Sequence, residues 1–294
     1  LACMWPLTVI ALLARAIARE NCRIVVSEHT SWSRSPLVSR SSVAWQVAAS
    51  MRLFYPLANG IVAVSRGAAD DLSRFSRLDR KSISAIYNPI VNQGLVEDPD
   101  CPLEPAGWCV GGHRRVLAVG RLKAIKGYET LLRSFSLLVK RVDAKLLILG
   151  EGEQREALEA LAGDLGLSER VFMPGFSRNP TPYFRHAHLH VLSSSGEGFA
   201  NVIVEAMAAG TPVVSTDCLS GPREILADGK FGRLVPVGDV SALAEAMEAS
   251  LSVEVDEGVL KARAREFSIE VSADQYLHLL VPAADVGSTE VEEA

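Results

Sequence analysis

The sequence predicts an α/β protein of two domains, each a largely parallel sheet flanked by helices. Short apolar runs rich in β-branched residues alternate with amphipathic stretches, which is the pattern of repeated βαβ units. The strands are too many for one small sheet. The chain has 294 residues, whereas a domain usually holds roughly 100–150.

From the amino end, Leu7–Ala14 is the most apolar early run, far short of the roughly 20 residues of a bilayer span. Arg15 and Arg19 continue it at helical spacing, so it reads as a buried helix. Expected strands follow at Arg23–Ser27, Gly60–Ser65 and Ile83–Tyr87. Residues Gln93–Gly112, with prolines at 99, 102 and 105 and no periodicity, read as a linker and place the domain boundary near 110. Beyond it, strands are expected at Arg115–Val119, Lys145–Leu149, Arg170–Met173, Leu189–Leu192 and Pro212–Ser215. Helices alternate with them. In Glu129–Arg141 the residues Leu131, Leu132, Phe135 and Leu138 share one face. Glu153–Gly166, Asn201–Ala209 and Val240–Leu251 complete the set, Leu260–Leu280 is helical again, and 281–294 reads as a flexible acidic tail.

Composition narrows the function. With 48% apolar and 22% charged residues the chain is an ordinary folded protein. A net charge of −5 gives no footprint for nucleic acid, so any anion must be held locally. Cysteines 3, 22, 101, 109 and 218 are odd in number and form no CxxC pair, which argues against a disulfide framework or zinc ribbon and fits a reducing cytoplasm.

The most informative segment runs from Ser193 to Pro212. A strand ends in Ser193-Ser194-Ser195, Glu197 stands between Gly196 and Gly198, and a helix opening at Phe199-Ala200-Asn201 stops at Gly210. Glu197 and Glu205 bracket the helix start, at most about 12 Å apart at 1.5 Å per residue. That is the reach from a sugar across a diphosphate to a ribose, and the first-turn amides between them favour an anion. The alternative reading is a turn residue and a solvated helix position. A second segment puts Arg121 after a strand and Lys126 before a helix, at the sheet edge where such folds bind ligands. Fixed cations there would stabilise charge gathering on a leaving diphosphate. Read alone they are surface charges, and a loop lysine such as Lys126 is expected to contribute little to stability.

Other signals are weaker. Gly150-Glu151-Gly152 lacks the third glycine of a dinucleotide fingerprint, Arg155 standing in its place. Asp98-Pro99-Asp100 is a DxD within the linker. His186, His188 and His190 alternate, yet a helix is expected to end beside them and a strand to begin, so they should diverge. No GxSxG elbow suggests a hydrolase.

Gly120-Arg121-Leu122 with Lys126-Gly127, Gly150-Glu151-Gly152, Pro174-Gly175-Phe176, the Glu197 and Glu205 pair, Ser220–Glu224 and Leu234-Val235-Pro236 resemble the donor half of retaining glycosyltransferases of family 4. Tyr55-Pro56, Ala63–Gly67 and Ile86–Pro89 resemble the end of that family's acceptor half. The resemblance implies a GT-B fold of two Rossmann-like domains with a ligand cleft between them. The parts would be a partial acceptor-side domain at 1–110, a nucleotide-sugar donor domain at 111–265 and a helix crossing back at 266–280.

It further implies transfer of a sugar from a nucleotide diphosphate sugar to a glycan or lipid-linked acceptor, with retention of configuration and neither cofactor nor metal. Arg121 and Lys126 would hold the diphosphate, Glu197 the sugar hydroxyls and Glu205 the ribose. Gly198, Phe199, Ala200, Asn201, Gly175 and Phe176 would line the donor site. His29 would face the sugar from the first domain, although Glu28 is unexpected before it and a capping or core histidine is the other reading. The location implied is cytoplasmic, with peripheral membrane contact through the acceptor domain. A non-catalytic sugar-nucleotide-binding remnant and a GT-B epimerase are the alternatives. Residues 1–22 contain no glycine, so the family's glycine-rich loop does not precede His29. A truncated first domain is therefore expected, binding donor but transferring sugar poorly.

Overall fold

The computed structural model describes residues 1–34, 41–91 and 105–281. The chain divides into two compact units: residues 1–89 with 269–294, and residues 90–268. The division falls well before the boundary expected near 110. Part of the reason is that Ile90 and Val91 both donate backbone hydrogen bonds to the carbonyl of Phe267 (3.0 and 3.2 Å), inside the second unit.

The first unit contains β1 (Ala2–Cys3), α1 (Leu7–Ala18), β2 (Val25–Glu28), α2 (Ser41–Phe54), β3 (Gly60–Ala63), α3 (Arg66–Ser76) and β4 (Ile83–Ala85). Its four strands are parallel and lie in chain order. β2 and β3 are almost wholly buried, as the Val-rich runs demand of a sheet covered on both faces. β1, at two residues, is too short to leave a sequence pattern. Ser65 caps α3, its hydroxyl accepting from the Ala68 amide at 3.0 Å.

The buried helix expected at Leu7–Ala14 is corrected. Only Thr8, Val9 and Leu12 of α1 are buried, whereas Leu7, Ile10 and Ile17 are 62%, 54% and 82% exposed. An all-round apolar sequence leaves the buried face to be chosen by packing, and here a single stripe is covered.

The second unit contains α4 (Ala106–Cys109), β5 (Arg114–Val119), α5 (Tyr128–Leu138), β6 (Ala144–Leu149), α6 (Arg155–Asp164), β7 (Val171–Gly175), α7 (Thr181–His186) and β8 (Leu189–Leu192). It continues with α8 (Asn201–Ala208), β9 (Val213–Thr216), α9 (Pro222–Ile225), β10 (Arg233–Val235), α10 (Val240–Leu251) and α11 (Glu257–Arg265). Residues 105–112 belong to this unit rather than to a linker, because Trp108 is fully buried and its indole N–H donates to the Val116 carbonyl at 3.2 Å.

The six strands are parallel in the order β10-β9-β8-β5-β6-β7. The order reverses between β5 and β8, with Val116 opposite Leu189. This switch point opens a crevice beyond the strand ends where doubly wound sheets take ligands. Under it lies a core of Val116, Leu131, Leu132, Phe135, Leu146, Ile148 and Leu189 with Met247. The helix expected over Leu260–Leu280 is two helices: α11 ends at Arg265, Phe267 is buried, and α12 (Ile269–Leu280) belongs to the first unit.

α12 packs Tyr276, Leu279 and Leu280 on Val25, Val62 and Ile86. Ser272 donates to the Tyr87 carbonyl at 2.8 Å and Arg23 to the Leu279 carbonyl at 3.1 Å. No described helix is long and apolar enough to cross a membrane. The DxD at 98–100 and the tail beyond 281 lie outside the described residues.

Candidate functional site

The loops leaving β5 and β8 meet at the switch point. Gly127 sits in the left-handed region at φ 65°, where a Cβ would stand 2.2 Å from the Ser193 carbonyl oxygen. Ser193 donates its hydroxyl to the Lys126 carbonyl (2.8 Å), and the Ser195 amide donates to the Ile125 carbonyl (2.8 Å). The two loops are thereby stitched edge to edge.

Across this seam the Lys126 ammonium donates to Glu197 Oε1 at 2.7 Å, and Ser194 donates its hydroxyl to the same oxygen at 2.6 Å. The Lys126 and Glu197 side chains are 23% and 11% exposed. The pair is therefore largely withdrawn from water, and the expectation that Lys126 contributes little to stability is corrected. Ser220 donates to the Glu197 carbonyl at 2.9 Å, and Gly221 lies so close beneath that a Cβ would reach within 2.1 Å of the Phe199 oxygen.

α8 starts behind Glu197. Its N-cap, Ala200, takes a left-handed conformation at φ 73° and offers no side-chain cap, and its carbonyl accepts from the Ile203 amide at 3.0 Å. Phe199 is buried edge-on against Phe267 with ring centroids 5.5 Å apart. It supports the loop, and only its backbone can meet a ligand.

Arg121 is apart from this pair. Its side chain is 66% exposed, 3.9 Å from Glu153, a surface contact of little energetic weight. It borders a cavity of about 430 Å³ with Gly120, Gly150, Gly152 and the exposed Phe176. Gly175, at φ 110°, brings the end of β7 against the Glu151 carboxylate. Glu205 borders a second cavity of about 260 Å³ with Ile90, Thr181, Arg178 and Arg185, and burial raises its pKa. Sequence reasoning missed the two arginines; Arg178, just beyond Gly175-Phe176, carried the only cue.

The three alternating histidines are engaged separately. His186 Nδ1 lies 2.9 Å from the Pro182 carbonyl, His188 Nδ1 accepts from the Arg115 amide at 2.9 Å, and His190 is buried edge-on to Phe184. Burial, then the charge of Arg115, pushes His188 down to about 4.

His29 lies in the first unit, directly after β2, and burial lowers its pKa. Its neighbour Glu28 faces Thr8 and Tyr55, with the Tyr55 hydroxyl donating to Glu28 Oε1. Burial pushes Glu28 up to about 7 from an ordinary 4.5, against the opposing effect of the Tyr55 bond. The folded chain therefore keeps a proton that the unfolded chain loses above pH 4.5, and stability falls as pH rises from 4.5 to about 7, then levels. Glu28→Gln is expected to abolish this slope and to raise stability at pH 8 by of order 2 kcal/mol. Thermal melts of both proteins from pH 5 to 8 check it, and parallel curves would refute it.

A doubly wound parallel sheet with a cation and a carboxylate joined at its switch point, beside a helix start, defines the Rossmann-like class that binds nucleotides beyond its strand ends. The comparisons give the family. The model described as "Glycosyltransferase Family 4" matches residues 2–92 and that described as "Glycosyl transferases group 1" matches residues 113–252. The chain is 32% identical over 279 residues to the N-acetylgalactosamine-N,N'-diacetylbacillosaminyl-diphospho-undecaprenol 4-alpha-N-acetylgalactosaminyltransferase of Campylobacter jejuni, covering 92% of this chain and 73% of the relative. It is 38% identical over 170 residues to the lipopolysaccharide core biosynthesis glycosyltransferase LpsE of Rhizobium meliloti, covering 56% of this chain and 49% of that one.

The chain belongs to the family 4 glycosyltransferases. Its fold is GT-B: HepE of Anabaena, solved with UDP, matches with a TM-score of 0.75 at 20% identity over 93% of this chain and 75% of that one. The sucrose-phosphate synthase of Thermosynechococcus elongatus matches with 0.75 at 24% identity, over 94% and 71%.

Proposed function

We propose that the protein transfers a sugar from a nucleotide diphosphate sugar to a glycan or lipid-linked acceptor, with retention of configuration and without a metal ion. The observation that carries this is the Lys126 and Glu197 pair at the switch point, 2.7 Å apart and next to the start of α8. In this reading the ammonium passes from Glu197 to the incoming diphosphate and Glu197 is released to the sugar hydroxyls. The α8 amides and Arg121 take the remaining phosphate charge as the leaving group departs. Glu205, which shares its cavity with Arg178 and Arg185, receives the ribose. The Campylobacter relative's name, which prints a diphospho-undecaprenol substrate for that protein, supports a lipid-linked acceptor for this one.

The test uses the 294-residue chain with radiolabelled uridine and guanosine diphosphate sugars and a polyprenyl-diphosphate-linked glycan. Label moving to the acceptor with the anomeric configuration kept is expected. Label held only as bound donor would make the protein a sugar-nucleotide binder, and inverted product would remove retention. EDTA should leave the rate unchanged; a strict divalent-cation requirement would overturn the metal-free reading. Glu205→Gln is expected to weaken the nucleoside diphosphate itself by roughly tenfold, about one hydrogen-bonded contact's worth. Calorimetric titration with UDP and GDP measures it, and unchanged affinity would move the ribose elsewhere.

A further inference from the structure

We propose that Ser27 and Tyr276 are positioning residues that hold His29 as the tautomer with its proton on Nδ1. Ser27 Oγ lies 3.2 Å from His29 Nε2 and 2.9 Å from the Tyr276 hydroxyl. The three side chains form a row on one face of the strand end, while Glu28 turns to Tyr55 on the other.

The Ser27 hydroxyl has one proton and two lone pairs, so the row can be polarised in three ways. Either Tyr276 donates to Ser27 and Ser27 to Nε2, or Nε2–H donates to Ser27 and Ser27 to the phenol oxygen, or Ser27 accepts from both and its own proton is left inside a fully buried residue without a further described acceptor, which is costly. The first runs from the most acidic O–H to the most basic acceptor. The second ends on a phenol oxygen, a poor acceptor, and leaves its hydrogen outside the row. The first polarity is therefore favoured, and it requires a bare Nε2.

The Ser27 side chain cannot turn away easily: the residue is fully buried on β2. Tyr276 is held by α12 itself, which is anchored through Ser272 and Leu279 on either side of it. The imidazole thus receives its tautomer from the other end of the chain. Neutral and tethered at Nε2, it presents Nδ1–H as a donor. In the transferase reading on which this rests, that hydrogen is a donor available to a substrate oxygen.

The experiment is long-range proton–nitrogen correlation NMR on the 294-residue chain labelled with 15N-histidine, the His29 signals being assigned by their absence in His29→Gln. The wild type should show Nε2 in the unprotonated range and Nδ1 in the protonated range. Ser27→Ala should shift the tautomer ratio about tenfold toward Nε2–H, the worth of one hydrogen bond. Tyr276→Phe, which keeps the ring, should shift it in the same direction by less, and Ser27→Thr should restore it. Nε2–H as the major wild-type form, or a ratio unmoved by both variants, would overturn the proposal. Should Ser27→Ala not fold, Tyr276→Phe decides alone. The spectra need no substrate. If the tautomer behaves as stated and no label is ever transferred, the transferase reading falls and the positioning row stands.

Discussion

Lys126→Ala is expected to lower the melting temperature by about 5–10 °C and to abolish most nucleoside diphosphate binding. The variant removes the cation but leaves Glu197 at 11% exposure, with Ser194 Oγ still at 2.6 Å. Breaking a buried pair from one side costs about 3–5 kcal/mol, and the partial exposure of Lys126 brings this to about 2–3. For a protein of this size each kcal/mol moves the melting point by roughly 2–4 °C.

Glu197→Gln should behave differently. It keeps the Ser194 contact and leaves the ammonium free for an incoming anion, so nucleoside diphosphate should bind about 3–10-fold more tightly, as expected when about 1 kcal/mol of competition is removed. Sugar transfer should nonetheless drop by roughly 10²–10³, as when a contact made to the developing charge is lost. The gain in affinity is expected because the pair exists before the ligand arrives. In the Lys126→Ala, Glu197→Gln double variant stability should partly return. Differential scanning fluorimetry and calorimetric titration of all three check the set. Additive melting shifts would mean that the two side chains do not couple.

Gly127→Ala is expected to destabilise more than any loop substitution far from the site. At φ 65° a side chain is strained, and its Cβ would stand 2.2 Å from the Ser193 carbonyl oxygen, backbone that cannot swing aside. A few kcal/mol is the expected cost, with loss of nucleotide binding because the β5 and β8 loops are pushed apart. Gly163→Ala is the control. That glycine lies inside α6 with nothing within 4 Å of a Cβ, so alanine should stabilise by about 0.4–1 kcal/mol. Equal melting points for the two variants would refute the argument from the seam.

Much of the second unit was legible because a parallel strand covered on both faces must be apolar through its buried run, as in Leu146–Leu149. The start of α8 was legible through the glycines around Glu197, and Arg121 and Lys126 through their place after a strand. The Lys126 and Glu197 bond was not. The partners are 71 residues apart, and only the strand order, which seats β8 beside β5, makes them neighbours. Tyr276 was hidden for the same reason, 249 residues from Ser27. The exposed face of α1 was misread because its sequence is apolar all round and carries no polarity to mark an outside. The two-residue β1 left no pattern at all.

The return of α12 to the first unit has a consequence for biosynthesis. The second unit is a continuous stretch, and its ends adjoin through the bridge between Val91 and Ser268, so it can complete its fold as soon as it leaves the ribosome. The first unit cannot, although it is translated first. Val25, Val62 and Ile86 wait for Tyr276, Leu279 and Leu280, a delay of roughly ten to forty seconds at about 5–20 residues per second. Throughout that interval the nascent sheet presents bare apolar surface, a ready target for chaperones, and premature release before residue 269 would leave it uncovered for good.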